Sequence, residues 1–435
     1  MAVGNRSGLL LAVTLLGAAG AARAQAPKIT LEEAIARANR VQPGVIQAGG
    51  TVRNAEARQR TATGAFLPNL TVSGNRGESF SEGQQLDPST GQFVTSGTST
   101  GSAGASVSSS IDLFAGFRRT SEKKAAGANR DAADASFRNA MYQQQLTTTN
   151  QFFDVLAAEQ LQNVREASVR RAEEQLKVAV AKLHAGRGIR PDSLRSVVTL
   201  GNAQLQLVNA RTSLATAEAN LGRLVGEDGP IGAVDDSTLY QALAVVDTSA
   251  LRNEALANAP SVKAAEASAE AARSAVRVSK AGYYPTLSLS GSASLSGSSR
   301  NSYTFLQSRQ LSLGLSWPLF NRFQREQGIV NSQTALENAE AQAADSRRLV
   351  LANLTAALAA LEAARLRTAI SQTSVVAAQE DLRVQQERYR LGAATIVDVL
   401  TSQEALNQAE VDVVTARFDY VRARAQISAL IGRTL

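Results

Sequence analysis

The sequence predicts a membrane protein of mixed α/β class, a β-barrel to which each chain gives four strands, continued by a long α-helical coiled coil. Three observations carry this reading. The chain is an internal duplication, its helical stretches far exceed those of a globular domain, and its strand-like stretches alternate Leu with Ser.

The duplication shows first in paired segments. "ARQRTATGAFLPNLTVSGN" (57–75) parallels "AVRVSKAGYYPTLSLSGSA" (275–293), matching Pro68 with Pro285 and Pro43 with Pro260 at an offset of 217. "IDLFAGF" (111–117) then matches "WPLFNRF" (317–323) at an offset of 206, which persists through Gly186/Gly392, Asp192/Asp398 and Gly226/Gly432. The first copy therefore holds 11 extra residues, assigned to the Ser/Gly/Thr-rich stretch 81–102 and expected as an exposed loop.

The elements follow in order. Residues 1–24 read as a secretion signal, with Arg6 before an apolar run from Leu9; cleavage could also follow Ala26. A first repeat spans 27–226: a short helix (about 31–40), a medium helix (about 44–66), a β-hairpin (about 67–116), a very long helix (about 118–184) and a last helix (about 193–225). A linker covers 227–249. The second repeat, 250–435, holds helices near 250–258 and 261–283, a hairpin near 285–322, and helices near 325–391 and 397–431. At about 1.5 Å per residue each long helix reaches roughly 100 Å, a length suited to coiled-coil packing. The medium and last helices, stacked end to end, nearly match it.

The hairpins alternate with period two. In "TLSLSGSASL" (286–295), Leu287, Leu289 and Leu295 share one face and Ser288, Ser290, Ser292 and Ser294 the other; in "GASVSSSIDL" (104–113), Ala105, Val107, Ile111 and Leu113 share a face. Lipid outside and water inside would suit such strands, although a soluble sheet packed on helices also fits. Twelve of the 20 aromatic residues lie in 66–117 and 283–323, and Phe114, Tyr283, Tyr284, Trp317 and Phe320 are expected at the membrane interface. Four strands cannot close a barrel around water. Three chains would give 12, the simplest closure.

Composition removes other classes. Without Cys there is no disulfide, thiolate metal site or Cys nucleophile, and a lone His184 argues against a His-based triad or a His-rich metal site. No cofactor, metal or catalytic constellation is expected. The net charge of +7 is spread along helices among acidic residues, so nucleic acid is not implied as a partner. Beyond the signal no run of 18 apolar residues occurs; the best, Leu349–Leu361, is interrupted by Asn353 and Thr355.

"YRLGAATIVDVLTSQEALNQAEVDVVTARFDYVRARAQISALIG" (389–432) resembles the closing segment of the TolC family of outer-membrane efflux and secretion proteins. The duplicated hairpin plan, the prolines at the helix-to-strand junctions and the LF-x-x-F motif agree with it. The resemblance covers essentially the whole mature chain. It implies a TolC-like homotrimer in the bacterial outer membrane: a 12-stranded transmembrane barrel continued by a periplasmic helical tunnel. Such a duct is passive. It serves small-molecule efflux or type I protein secretion, docking an inner-membrane transporter through a periplasmic adaptor.

The resemblance also implies a gate at the periplasmic entrance. Tyr389 matches a tip tyrosine that ties neighbouring coiled coils, Asp192 its acidic partner, and Asp398 an aspartate that forms a ring where three chains meet. Ala394 stands where the best-known members have an Arg that makes a second closing link, and Thr401 where they have a second ring aspartate. The bare residues allow another role: Asp192 and Asp398 as caps of the returning helices, Gly186 and Gly392 as C-caps with positive φ. The tip turns, Arg187–Arg190 and Ala393–Val397 with Ile396 among them, either dock an adaptor or only pack helix turns. A soluble periplasmic coiled-coil scaffold or adaptor is the alternative to the duct.

Overall fold

Caps written into the sequence set where the helices begin. In the computed structural model, residues 26–236, 240 and 247–433 are described; the expected signal segment, 1–24, lies outside them. After a two-residue strand, β1 (Lys28–Ile29), the Thr30 hydroxyl accepts from Glu33 N–H and opens α1 (Leu31–Val41). Pro43 opens α2 (Pro43–Gly64) at a position that needs no N–H.

An antiparallel ribbon follows, β2 (Asn69–Leu86) and β3 (Phe93–Ala115). It corrects one expectation. The stretch 81–102 is not a loop: β2 and β3 stay in register out to Leu86↔Phe93, and the chain turns only at 87–92. Asp87 stabilises that turn by accepting from Ser89 N–H at 2.9 Å. The Ser and Thr residues that suggested a loop instead fill ladder positions, where β-branched and small side chains fit a pleat.

α3 (Arg118–His184) and α4 (Arg190–Val225) run down and back, and β4 (Gly232–Ala233) returns to pair in parallel with β1. The second half repeats the order. Asp247 caps α5 (Thr248–Asn258), Pro260 opens α6 (Pro260–Lys280), and β5 (Thr286–Ser298) and β6 (Leu306–Ser316) precede α7 (Gln324–Leu391) and α8 (Ile396–Ile431). The two long helices contain 67 and 68 residues, about 100 Å each.

The four longer strands form one sheet in the order β2-β3-β5-β6. Its register separates two faces. Ser73, Ser106, Ser294 and Ser308 form one row across all four strands, with hydroxyl pairs at 2.7 and 2.8 Å. The adjacent row, on the opposite face, is Val72, Val107, Ala293 and Arg309. Leu70, Ile111, Leu287, Leu289, Leu311, Leu313 and Leu315 extend this apolar face toward the helices. A β-bulge makes one more correction. Pairing passes from Asp112↔Ser288 to Phe114↔Leu287, so Leu113 is the extra residue and Phe114 takes the place beside Leu287.

Near the sheet, α3 lies between α2 and α6, and α6 packs on α7; at the far end, α3 packs on α4 and α8, and α8 on α7. Three apolar clusters hold this array. The central one joins Phe152, Phe153, Leu156, Leu221 and Phe418, and a second joins α5, α7 and α8 through Leu251, Leu354 and Ile427. By length and composition α7 is apolar enough to cross a membrane. Its run Leu349–Leu361 instead places Val350, Leu354 and Ala357 in that second cluster. Beside that central cluster, polar pairs also bridge the hairpins: Asp154–Arg422 at 2.6 Å, and Arg171–Glu410 at 2.6 Å with Asn407 at 2.8 Å.

Candidate functional site

Two turns form the end of the array remote from the sheet, and they are copies. After α3, Gly186 N–H donates to Leu183 O and Arg187 N–H to Lys182 O; after α7, Gly392 N–H donates to Tyr389 O and Ala393 N–H to Arg388 O. Every partner is displaced by 206 residues. This is the Schellman pattern, which needs a left-handed residue. Gly186 and Gly392 supply it at φ 70° and 81°.

The returning helices begin differently. At α8 the Thr395 hydroxyl accepts from Asp398 N–H, and Asp398 Oδ2 accepts from Thr395 N–H at 2.8 Å, a complete capping box. These bonds from Thr395 hold the exposed Asp398 carboxyl below its ordinary range. At α4 the cap position is Ile189, which has no side chain to offer, and Asp192 sits in the first turn without a cap bond. Of the two aspartates, Asp398 is the one that caps.

Behind the turns lies the third apolar cluster: Leu382, Tyr389, Ile396, Val399 and Leu406, with Ala394 against it. Ile396 is only 1% exposed, so it is not a surface for docking. Of the two roles the sequence allows for it, docking an adaptor or packing the helix turn, the α7–α8 packing gives it the second. Leu391 (84%) and Val397 (48%) are the exposed apolar residues there; Arg187, Ile189 and Arg190 are exposed on the other turn, and Thr401 is exposed on α8.

Tyr389 is buried, and its hydroxyl has no hydrogen-bond partner among the described residues. Burial, reinforced by the nearby Asp192 charge, pushes that hydroxyl's pKa up. Besides Val178, which packs on this cluster, the first hairpin reaches the second here through Lys182. Its ammonium donates to the Tyr389 carbonyl and lies 3.8 Å from the ring centroid. Sequence reasoning missed Lys182; the available signal was a cation in the last turn of α3, where it favours the helix C-terminus. Arg388 reaches the Ala393 carbonyl at 3.3 Å, beside the position where Ala394 carries no charge.

At the opposite end the helices meet the sheet through aromatic residues. Phe114 packs edge-on against Phe117, Phe117 against Tyr284, and Phe320 against Phe323, at 5.4, 5.7 and 5.5 Å between ring centres. Tyr283, Tyr284, Trp317 and Phe320 are exposed. Trp317 Nε1 donates to Tyr283 O at 3.2 Å. Two arginines lock both copies: Arg119 lies over Phe66 and donates to Ala65 O and Leu113 O, while Arg325 lies over Tyr283 and donates to Pro318 O. These were also missed, although each follows the LF-x-x-F motif by two residues.

Comparison with known proteins agrees with this geometry. A family model described as outer membrane efflux protein matches residues 17–227 and 251–433. The outer membrane efflux protein BepC of Brucella suis is 26% identical over 413 residues, covering 92% of this chain and 86% of that protein. The alkaline protease secretion protein AprF of Pseudomonas aeruginosa is 25% identical over 389 residues, covering 86% and 79%. In fold, the chain resembles the crystal structure of VceC from Vibrio cholerae, with a TM-score of 0.76 at 17% identity over 93% of this chain and 96% of that one. The chain belongs to the outer membrane efflux protein family: it is a channel of the bacterial outer membrane with a periplasmic helical part, a duct and not an enzyme.

Proposed function

We propose that three copies close head to tail into a 12-stranded barrel and a helical tunnel. The tunnel receives cargo at its periplasmic tip from an inner-membrane transporter, through a periplasmic adaptor. One observation carries this reading: the chain has two unsatisfied flanks that run its full length. β2 and β6 are the bare edges of the sheet. In line with them, α4 exposes Leu194, Val197, Val198, Leu205 and Val208, and α7 exposes Leu366, Ile370, Val376, Val384 and Leu391. Both stripes keep near-heptad spacing, as coiled-coil seams do. Unlike flanks on one subunit make a heterologous contact, which closes into a ring and removes the exposed strand edges.

In such a ring the Ser-lined face borders water and the Leu-rich face borders lipid, with the aromatic junction at the inner interface. Six tip turns surround the entrance. Asp398 gives a ring of three carboxylates, Lys182 and Tyr389 join the two hairpins of each chain, and Asp192 stands beside them as a further charge at the tip. With Ala394 and Thr401 where relatives are charged, the entrance has one acidic ring and fewer polar links. Gly186, Arg187, Arg190 and Gly392 form the docking surface, basic on the first turn and neutral on the second.

The names of its relatives cover both cargo classes, efflux for BepC and protease secretion for AprF. Deleting the gene separates them. Sensitivity to small toxic compounds with secretion intact assigns efflux, and the reverse assigns protein export. Neither defect would contradict the duct.

A further inference from the structure

We propose that the outward face of the barrel carries a binding site for the phosphate groups of outer-leaflet lipid, built from Arg309 of one chain and Arg76 of the next. The proposal rests on the ring closure above. On β6 the apolar face runs Leu315, Leu313, Leu311 and then Arg309; on β2 it runs Leu70, Val72, Gly74 and then Arg76. The inner strands carry no charge on this face between Leu287 and Gly297 or between Ile111 and Gly101. Its first charges therefore fall only on the two edge strands, and both are arginine.

Their distances from the helices agree in residue count. Arg76 is seven residues beyond Asn69, where β2 leaves the helices, and Arg309 is seven residues before Ser316, where β6 returns to them. Seven residues span about 23 Å along a strand. With strands tilted by about 40° that is a rise of about 18 Å above the aromatic junction, in the outer half of an apolar band about 25 Å tall, from where a long arginine side chain reaches its edge. Pairing β6 with the next chain's β2 in a register that keeps equal distances from the helices puts the two arginines on neighbouring strands about 4.8 Å apart, within reach of one phosphate.

Both side chains are exposed, and neither makes an ion pair among the described residues. With its amide oxygen turned toward the guanidinium, Gln307 accepts from Arg309 at 3.0 and 3.1 Å and steadies it on the face. Glu78, the nearest acid above Arg76 on this face, already accepts from Ser99 Oγ at 2.7 Å. Guanidinium forks match phosphate oxygens, and the Leu residues below would lie along acyl chains. A lipid headgroup, rather than a free anion, satisfies both halves of the surface.

The test uses the full-length protein extracted from membranes, with a diphosphorylated disaccharide lipid and its dephosphorylated form as probes. Native mass spectrometry reads the lipid retained per oligomer, and heat-modifiable migration on gels reads assembly. Wild type is expected to retain the phosphorylated lipid about tenfold better than Arg76→Gln/Arg309→Gln. Arg300→Gln, in the turn after β5, should match wild type, and 10 mM inorganic phosphate should not displace the lipid. An assembled double variant that keeps the lipid, equal retention of the two lipids, or displacement by inorganic phosphate would overturn the site. Failure of the wild type to assemble would instead overturn the ring, and the site with it.

Discussion

Lys182 sits on Tyr389: its ammonium lies 3.8 Å from the ring centroid and bonds the same residue's main-chain carbonyl. With Val178 packed on the same apolar cluster, this contact joins the first hairpin to the second at the tip. The tyrosine contributes its ring and backbone, while its buried hydroxyl has no hydrogen-bond partner among the described residues.

Replacing Lys182 with Met should therefore loosen the tip. Loss of a partly desolvated cation–π contact, about 1–2 kcal/mol, would raise a minor open population by about fivefold to thirtyfold. Leakage of a bulky antibiotic that the outer membrane normally excludes measures it. Wild-type exclusion with normal assembly would show that Lys182 holds nothing.

Tyr389→Phe should be nearly silent in the same assay. It removes a buried hydroxyl without a partner, and such a group costs about 1–3 kcal/mol rather than stabilising. A leak as large as that of Lys182→Met would mean that the hydroxyl finds a partner once chains assemble, with Asp192, whose charge already acts on it, to test next.

Asp398 has two separable tasks. Asp398→Ala should lower the cation-over-anion preference of single channels by about twofold or more at neutral pH, because three carboxylates leave the entrance. The same change should also speed amide exchange at the start of α8. The carboxyl is held below its ordinary value of 3.8 by Thr395. A depressed folded value stabilises above the unfolded one and fails as pH falls through the folded one. The start of α8 should thus stay protected from neutral pH down to about 4 and loosen only below it. Unaltered selectivity would remove the ring; protection lost already at pH 6 would remove the cap.

Gly116 is expected to tolerate no side chain. Its φ is 59°, and a Cβ there would meet the Tyr284 Cβ at 2.6 Å and the Ala281 carbonyl at 2.8 Å. Gly116→Ala should cut the yield of assembled, heat-modifiable protein several-fold. Arg322 holds the matching position of the second copy at φ 57°. Arg322→Gly should relieve strain of about 1–2 kcal/mol there and leave assembly intact. Equal behaviour of the two variants would contradict the packing described for the first junction.

Much of this architecture could be read from residue order because it is set locally. The helices that fill 118–184 and 324–391 lack proline, and Gly186 and Gly392 mark their ends. What was illegible depends on segments meeting in space. Ser and Thr in 81–102 suit a loop as well as a ladder until β2 finds β3. Ile396 looks like a turn residue until α7 and α8 enclose it. Lys182 and Tyr389 lie 207 residues apart, and no spacing rule connects them. The Leu113 bulge is similar: alternation continues through it in sequence, and only the β5 register shows the extra residue.

The most direct measurement is the mass and location of the mature protein. Extracted from the outer membrane in detergent, it is expected as a heat-modifiable particle of three chains, with no assembled form free in the periplasm. A stable monomer recovered from the soluble periplasm would contradict the ring, the barrel and the gate together.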